Sequence, residues 1–295
     1  MLISLRDICA IAEQNSMAIA AFNTPSLEAV RAALDAAEQT GYPVILAHAE
    51  CHEHAAPLKY IGPAMVALAE QSNAMVCVHL DHCEHLSYLR RALDMGFTGA
   101  MFDGSYMPYE VNVENSARAA EICAPFGVGL ECELGSMGSR EAGYRDEGGT
   151  AEESGAVYTD PDQAEDFIRR TGLDILACSF GTVHGIYKGE PHLNLDVLRD
   201  IRSRIKLPLV MHGGSGVSDE DYRKSIDAGI RKINYYTYGA KFAGEAVCNL
   251  IADRRRDRKD ALVYWHDMTP VAYERLLEDF TQVIKVFANG AKPVA

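Results

Sequence analysis

Eight times along this chain a short apolar run gives way to a stretch with the spacing of an amphipathic helix, and that repeat restricts the fold more than any other feature. The runs are AIAAFN (18–23), PVILAHA (43–49), the Met75–Val78 part of MVCVHLDHCE (75–84) and GAMFDG (99–104). GVGLECELG (127–135), DILACSFG (174–181), LPLVMHGGS (207–215) and IRKINYYT (230–237) complete them. Helical patterns follow in turn. Pro25 opens the first, through Leu27, Val30, Leu34 and Ala37 to Gly41, and others lie near 63–71, 86–95, 108–124, 160–172, 194–204 and 218–228. Asp160 is placed as an N-cap, with Pro161 at the first helical position. Strand and helix in this strict order fit an α/β fold of the closed (β/α)₈ TIM-barrel type better than an open doubly wound sheet, because no GxGxxG follows the first strand. An extra N-terminal helix, from MLISLRDICAIAEQ, and a C-terminal helical extension flank the barrel.

Residues 1–295 carry no linker that argues for division, so a single domain is expected. A net charge of −14 repels a polyphosphate, and the only dense basic run, Arg254–Lys259, reads as a solvated helix face; nucleic acid is excluded as a partner. The eight cysteines form no CxxC pair, and Arg6 and Asp7 interrupt the apolar N-terminus. Reduced thiols, no signal peptide and no membrane span together point to the cytoplasm.

In a (β/α)₈ barrel the carboxyl ends of all strands meet on one face. The ends of these strands offer Asn23, His48, Asp81 and His82, Asp103, Glu131 and Glu133, His184, His212, Asn234 and Thr237. His82, His184 and His212 can give a zinc ion three nitrogens and leave a fourth position for substrate. Asp81 precedes His82, so alternation points the two side chains in different directions, and Asp81 is read as a brace or a proton carrier. His79 shares the side of Asp81 and serves as packing or support. GTVHGIY (181–187) and HGGSG (212–216) set histidines among glycines, and such turns expose backbone N–H groups to an anion. The long segment 136–158, rich in glycine and acidic residues, reads as a lid.

HLDH (79–82), MFDGS (101–105), ECELG (131–135), GTVHGIY, LVMHGGSG (209–216) and KINYYT (232–237), in that order, resemble the class II, zinc-dependent ketose-bisphosphate aldolases, including the fructose- and tagatose-bisphosphate enzymes. The resemblance implies reversible cleavage of a ketose (bis)phosphate to dihydroxyacetone phosphate and an aldehyde through a metal-stabilised enediolate. It makes His82, His184 and His212 the ligands of one catalytic Zn²⁺ per subunit, Glu133 an alternative ligand, and Asp81 the acid/base at the C4 oxygen. The mobile-loop acid that moves the C3 proton matches Glu141, with Glu147 as the competitor. Asn23 joins the substrate-binding set. Gly185, Gly213, Gly214, Ser215, Asn234 and Thr237 resemble the phosphate cradle, where the family often binds a monovalent cation, Na⁺ or K⁺. A sugar phosphate as partner and a homodimer or homotetramer follow from the same resemblance.

Two departures bear on substrate. NYYTYG puts Tyr235, Tyr236 and Tyr238 where relatives carry smaller or acidic residues. HAECHEH puts His48, His52 and His54 after the second strand, where surface histidines are expected and a second metal site is the alternative. The competing readings are a metal-dependent TIM-barrel hydrolase, which Asn23 and Asn234 at the first and last strand ends disfavour, and a non-catalytic sugar-phosphate-binding barrel.

Overall fold

The computed structural model describes residues 1–135, 157–187, 189, 191–256 and 258–294. Strands β1 (Ile19–Asn23), β2 (Val44–Ala49), β3 (Val76–Cys83), β4 (Gly99–Phe102), β5 (Gly129–Leu134), β6 (Ile175–Cys178), β7 (Leu209–Met211) and β8 (Ile230–Tyr235) close in that order into a parallel barrel. Helices α2 (Leu27–Thr40), α3 (Leu58–Gln71), α4 (Leu86–Asp94), α5 (Tyr109–Cys123), α6 (Pro161–Thr171), α7 (Leu195–Arg204), α8 (Asp219–Asp227) and α9 (Thr237–Arg256) follow the strands. α1 (Leu5–Asn15) precedes β1, and α10 (Trp265–Phe287) ends the chain.

Capping explains where α2, α6, α7 and α8 begin. Ser26, Asp160, Asn194 and Ser218 each accept a hydrogen bond from a first-turn backbone N–H, and Gly41 and Gly172 take the left-handed conformation that ends α2 and α6. α3 differs from the reading of a start near Pro63. It begins at Leu58, because buried Leu58, Ile61 and Met65 hold its first turns against the bond that Pro63 removes.

Pairing register sorts the strand residues into two layers. Phe22, Leu46, Val78, Leu80, Phe102, Leu130, Leu176 and Ile233 belong to the core between barrel and helices. Phe22, for instance, stacks on Phe280 of α10 at 3.9 Å. Ile19, Ala21, Ile45, Cys77, Met101, Ile175, Ala177 and Val210 pack inside the barrel, where Leu5, Ile8, Cys9 and Ala12 of α1 plug the amino-terminal end. That apolar floor leaves the opposite end of the interior for polar groups. All eight cysteines are free, and among the described residues no helix is long and apolar enough to cross a membrane.

Candidate active site

β3 supplies two neighbours to the mouth, and its backbone shows how. Ala47 pairs with His79 and Ala49 with Asp81, which places both polar side chains on the barrel interior. By the same alternation His82 faces the helices with Leu80. Instead, the pairing with β4 slips between Leu80 and Cys83, and His82 takes a φ of 41°. The left-handed residue costs on the order of 1–3 kcal/mol, and it turns His82 back over the mouth. The divergence expected of Asp81 and His82 is thereby cancelled.

His184 and His212 arrive on two glycine turns that touch. A Cβ on Gly213, whose φ is 61°, would lie 2.5 Å from the carbonyl oxygen of Val183, so only glycine allows this approach. Tyr187 locks the turns together, accepting a hydrogen bond from Val183 N (3.0 Å) and donating one to Gly213 O (2.9 Å). Gly214 approaches the backbone of Asn234 in the same way, where a Cβ would meet the carbonyl oxygen at 2.8 Å.

The outcome is that ligand atoms of His82, His184 and His212 all lie within 4.8 Å of one another, in buried surroundings. Two of the rings are oriented from behind by carboxylates. His82 Nδ1 lies 2.9 Å from Asp103 Oδ2, and His212 Nε2 lies 2.7 Å from Glu131 Oε1. Their other nitrogens, His82 Nε2 and His212 Nδ1, face each other at 2.9 Å. Two imidazoles oriented by carboxylates, with their other nitrogens converging beside a third histidine, are the donor set of a zinc site, so these residues fit the ion. His82, Asp103 and Glu133 make a second candidate group. There Glu133 has a buried, unpartnered Oε2, and burial together with Asp103 raises its pKa well above the carboxylate range.

In a third group, His79, Asp81 and Glu131, the carboxylate of Glu131 is paired with Lys232, whose Nζ lies 2.9 Å from Oε2. All four side chains are fully buried. Burial by itself would raise Asp81, but His82, Lys232 and His212 hold it well below the usual range. Amides steady the carboxylate. Asn23 Nδ2 donates to Oδ2 at 3.0 Å and Asn234 Nδ2 to both oxygens at 3.1 Å, while Lys232 donates to Asn234 Oδ1 at 2.7 Å. Asp81 is thus held as an ionised, fully buried carboxylate close to the histidine cluster.

The remaining candidates divide. Ser215 is buried, with its Oγ accepting from Tyr236 N, and Thr237 opens α9, so the glycine turn and a helix N-terminus lie together as an anion site requires. Gly185, with a φ of 96°, has open space where a Cβ would sit. Asn234, expected in that cradle, instead places its amide on Asp81 and, at 3.3 Å, near His212 Nδ1. Glu141, Glu147 and most of the supposed lid lie outside the described residues. Lys232 was not singled out from sequence, although a lysine two residues before Asn234 on an apolar strand already marks a buried cation.

Two of the three histidines of HAECHEH depart from the surface expectation. His48 and His52 are 1% and 3% exposed, while His54 is exposed. His48 faces the helices and lies 2.9 Å from the Tyr88 hydroxyl, which donates to Glu53. Neither His48 nor His52 joins a metal-binding group among the described residues. Of the tyrosines, Tyr235 packs edge-on against Phe22 in the outer core, and Tyr238 covers Gly216. Tyr236 meets the His52 ring at 4.7 Å and, with Asn23, lines a cavity of about 310 Å³ under α9 and α10.

Residues 3–291 match the family described as fructose-bisphosphate aldolase class-II. A probable fructose-bisphosphate aldolase of Bacillus subtilis (strain 168) is 35% identical over 254 residues, 85% of this chain and 87% of that protein. The fructose-bisphosphate aldolase of Geobacillus stearothermophilus is 35% identical over 266 residues, 89% and 88% of the two chains. The crystal structure of the YdjI aldolase from Escherichia coli K12 superposes with a TM-score of 0.82 at 30% identity, covering 99% of this chain and 98% of that one.

Proposed function

The chain belongs to the class II fructose-bisphosphate aldolase family of aldehyde-lyases, and from that premise we propose that it cleaves a ketose phosphate or bisphosphate, reversibly, to dihydroxyacetone phosphate and an aldehyde. The observation that carries this reading is the meeting of His82, His184 and His212 beside an ionised, fully buried Asp81. His82, His184 and His212 hold one zinc ion per subunit, with Glu133 as an alternative ligand. Bound there, zinc supplies Lewis acidity for the negative charge that the donor half takes on as the carbon–carbon bond breaks.

The protein's own groups do the rest. Asp81 takes the proton from the hydroxyl beyond the breaking bond, and returns it to the aldehyde oxygen in condensation. Asn23 and Asn234 keep its carboxylate aimed, and Lys232 with Glu131 keeps the layer beneath it neutral. The donor's phosphate is held by the turns carrying Gly185, Gly213, Gly214 and Ser215 and by the start of α9 at Thr237, with Na⁺ or K⁺ beside them in keeping with the family. Glu141 moves the C3 proton, with Glu147 as the competing candidate. The free cysteines support a reducing cytoplasm, and the family resemblance supports one barrel domain assembled into a homodimer or homotetramer.

A coupled assay for dihydroxyacetone phosphate over a panel of ketose phosphates and bisphosphates tests the proposal. Release that is lost on chelation and regained with zinc supports it. Zinc-loaded protein that releases nothing from any member contradicts it.

A further inference from the structure

His52 sits where a structural histidine has no evident reason to be. It ends a 3₁₀ turn, Glu50–His52, that leaves β2 directly over the mouth, and it is 3% exposed. Neither ring nitrogen has a hydrogen-bond partner. A buried imidazole with both nitrogens idle is unfavourable unless something else occupies them.

The turn is pinned on both sides, so the ring is not there by slackness. Glu50 Oε2 accepts from Glu84 N at 2.8 Å, and its Oε1 lies 2.6 Å from His85 Nδ1. Glu53 Oε2 accepts from Leu58 N at 2.7 Å and from the Tyr88 hydroxyl at 2.6 Å, and that hydroxyl also meets His48. Tyr236 supports the ring from the β8 side, its centroid 4.7 Å away at a tilt of 50°. Asp81 and His82 are near enough to act on it electrostatically.

In the closed order of the barrel β2 stands across from β6 and next to β3, so His52 is opposite the glycine turns and beside the proposed proton carrier. A substrate with its phosphate on those turns and its breaking bond at Asp81 extends its aldehyde half toward this ring. We propose that His52 is a specificity residue for that half, hydrogen-bonding the hydroxyl group next to the aldehyde carbon.

Chemistry favours a hydroxyl over an anion. Burial lowers the His52 pKa to about 4, so at neutral pH the ring offers one donor and one acceptor, and a hydroxyl group satisfies both. Asp81, the carboxylate acting on this ring, would repel a phosphate placed against it. The inference rests on the aldolase reading, and the experiment separates the two.

With zinc-loaded full-length wild type, His52→Ala and His52→Gln, two rates are compared. The first is exchange of the C3 proton of dihydroxyacetone phosphate into deuterium oxide, which needs only the donor half. The second is condensation of that donor with glycolaldehyde and with acetaldehyde, which lacks the hydroxyl. Wild type should prefer glycolaldehyde in kcat/KM. His52→Ala should shrink that preference by about tenfold or more, with condensation falling much further than exchange, and His52→Gln should recover part of it. An unchanged preference in His52→Ala overturns the proposal, as does an equal fall of exchange and condensation, which marks a structural role. Wild type that exchanges no proton overturns the aldolase reading and this proposal with it.

Discussion

At the amino-terminal end of the barrel the inward side chains are Ile19, Ile45, Cys77, Ile175 and Val210, closed off by Leu5 and Ile8 of α1. Beside that floor lie Glu131, in register with Ile175, and Lys232, in register with Ile19 and Val210, while His79, Asp81 and Asn234 stand nearer the mouth, and all five are buried. The floor is held by apolar area removed from water, which is non-directional and forgiving of exchange at constant volume. The mouth is held by paired charges and aimed hydrogen bonds, where each group is tolerable only because its partner is present. The apolar and the polar parts of this one interior are therefore held by different forces, and substitutions in the two should fail in different ways.

The largest effect is expected at the mouth, in activity. Asp81→Asn should lower kcat for ketose phosphate cleavage by about 10²–10⁴-fold while zinc content changes little. Steady-state kinetics with metal analysis of the same sample checks this. Loss of zinc in the variant would mean that Asp81 organises the metal site rather than carrying the proton.

Lys232→Met sharpens the contrast, since it leaves Glu131 buried without its cation. Destabilisation of about 3–5 kcal/mol is expected in urea unfolding, and adding Glu131→Gln should recover most of it. A floor substitution of similar cost, Leu5→Ala, should lose about 2–5 kcal/mol yet keep kcat within a few-fold. If Leu5→Ala cuts kcat as deeply as Asp81→Asn, the separation of the two parts is wrong.

The smallest effect is a pH dependence of stability. Burial lowers the His48 pKa from 6.5 to about 4, so the unfolded chain takes up a proton first as the pH falls. His48 therefore contributes stability fully above pH 6.5, and loses it as the pH falls through that value toward 4, at up to about 1.4 kcal/mol per pH unit. His48→Gln should flatten the fall in Tm between neutral and acidic pH, and an unchanged slope would show that His48 takes no part.

What could be read in advance follows the physics of each feature. Strand order was legible because each βα unit carries its own period and caps, as Asp160 and Gly172 do for α6. The convergence of His82, His184 and His212 was legible as a set, since a closed barrel brings strand ends together. The orientation of His82 was not, because a bulge breaks the alternation on which such a reading depends. Nor was the burial of His48 and His52, which is decided by contacts with Tyr88 and Tyr236 from distant parts of the chain. Lys232 was missed for a related reason: its cost is balanced by Glu131 on β5, across the barrel interior from β8, a pairing that no local pattern reveals.

Zinc stoichiometry in wild type and His184→Ala tests the centre of this account most directly. His184 lies on the loop after β6, so its loss should remove a ligand without disturbing the apolar floor. The account predicts one tightly held ion per wild-type chain, and less than about a tenth of that in a variant whose circular dichroism is unchanged. A wild type that takes up no zinc, or a folded variant that keeps its full complement, would contradict it.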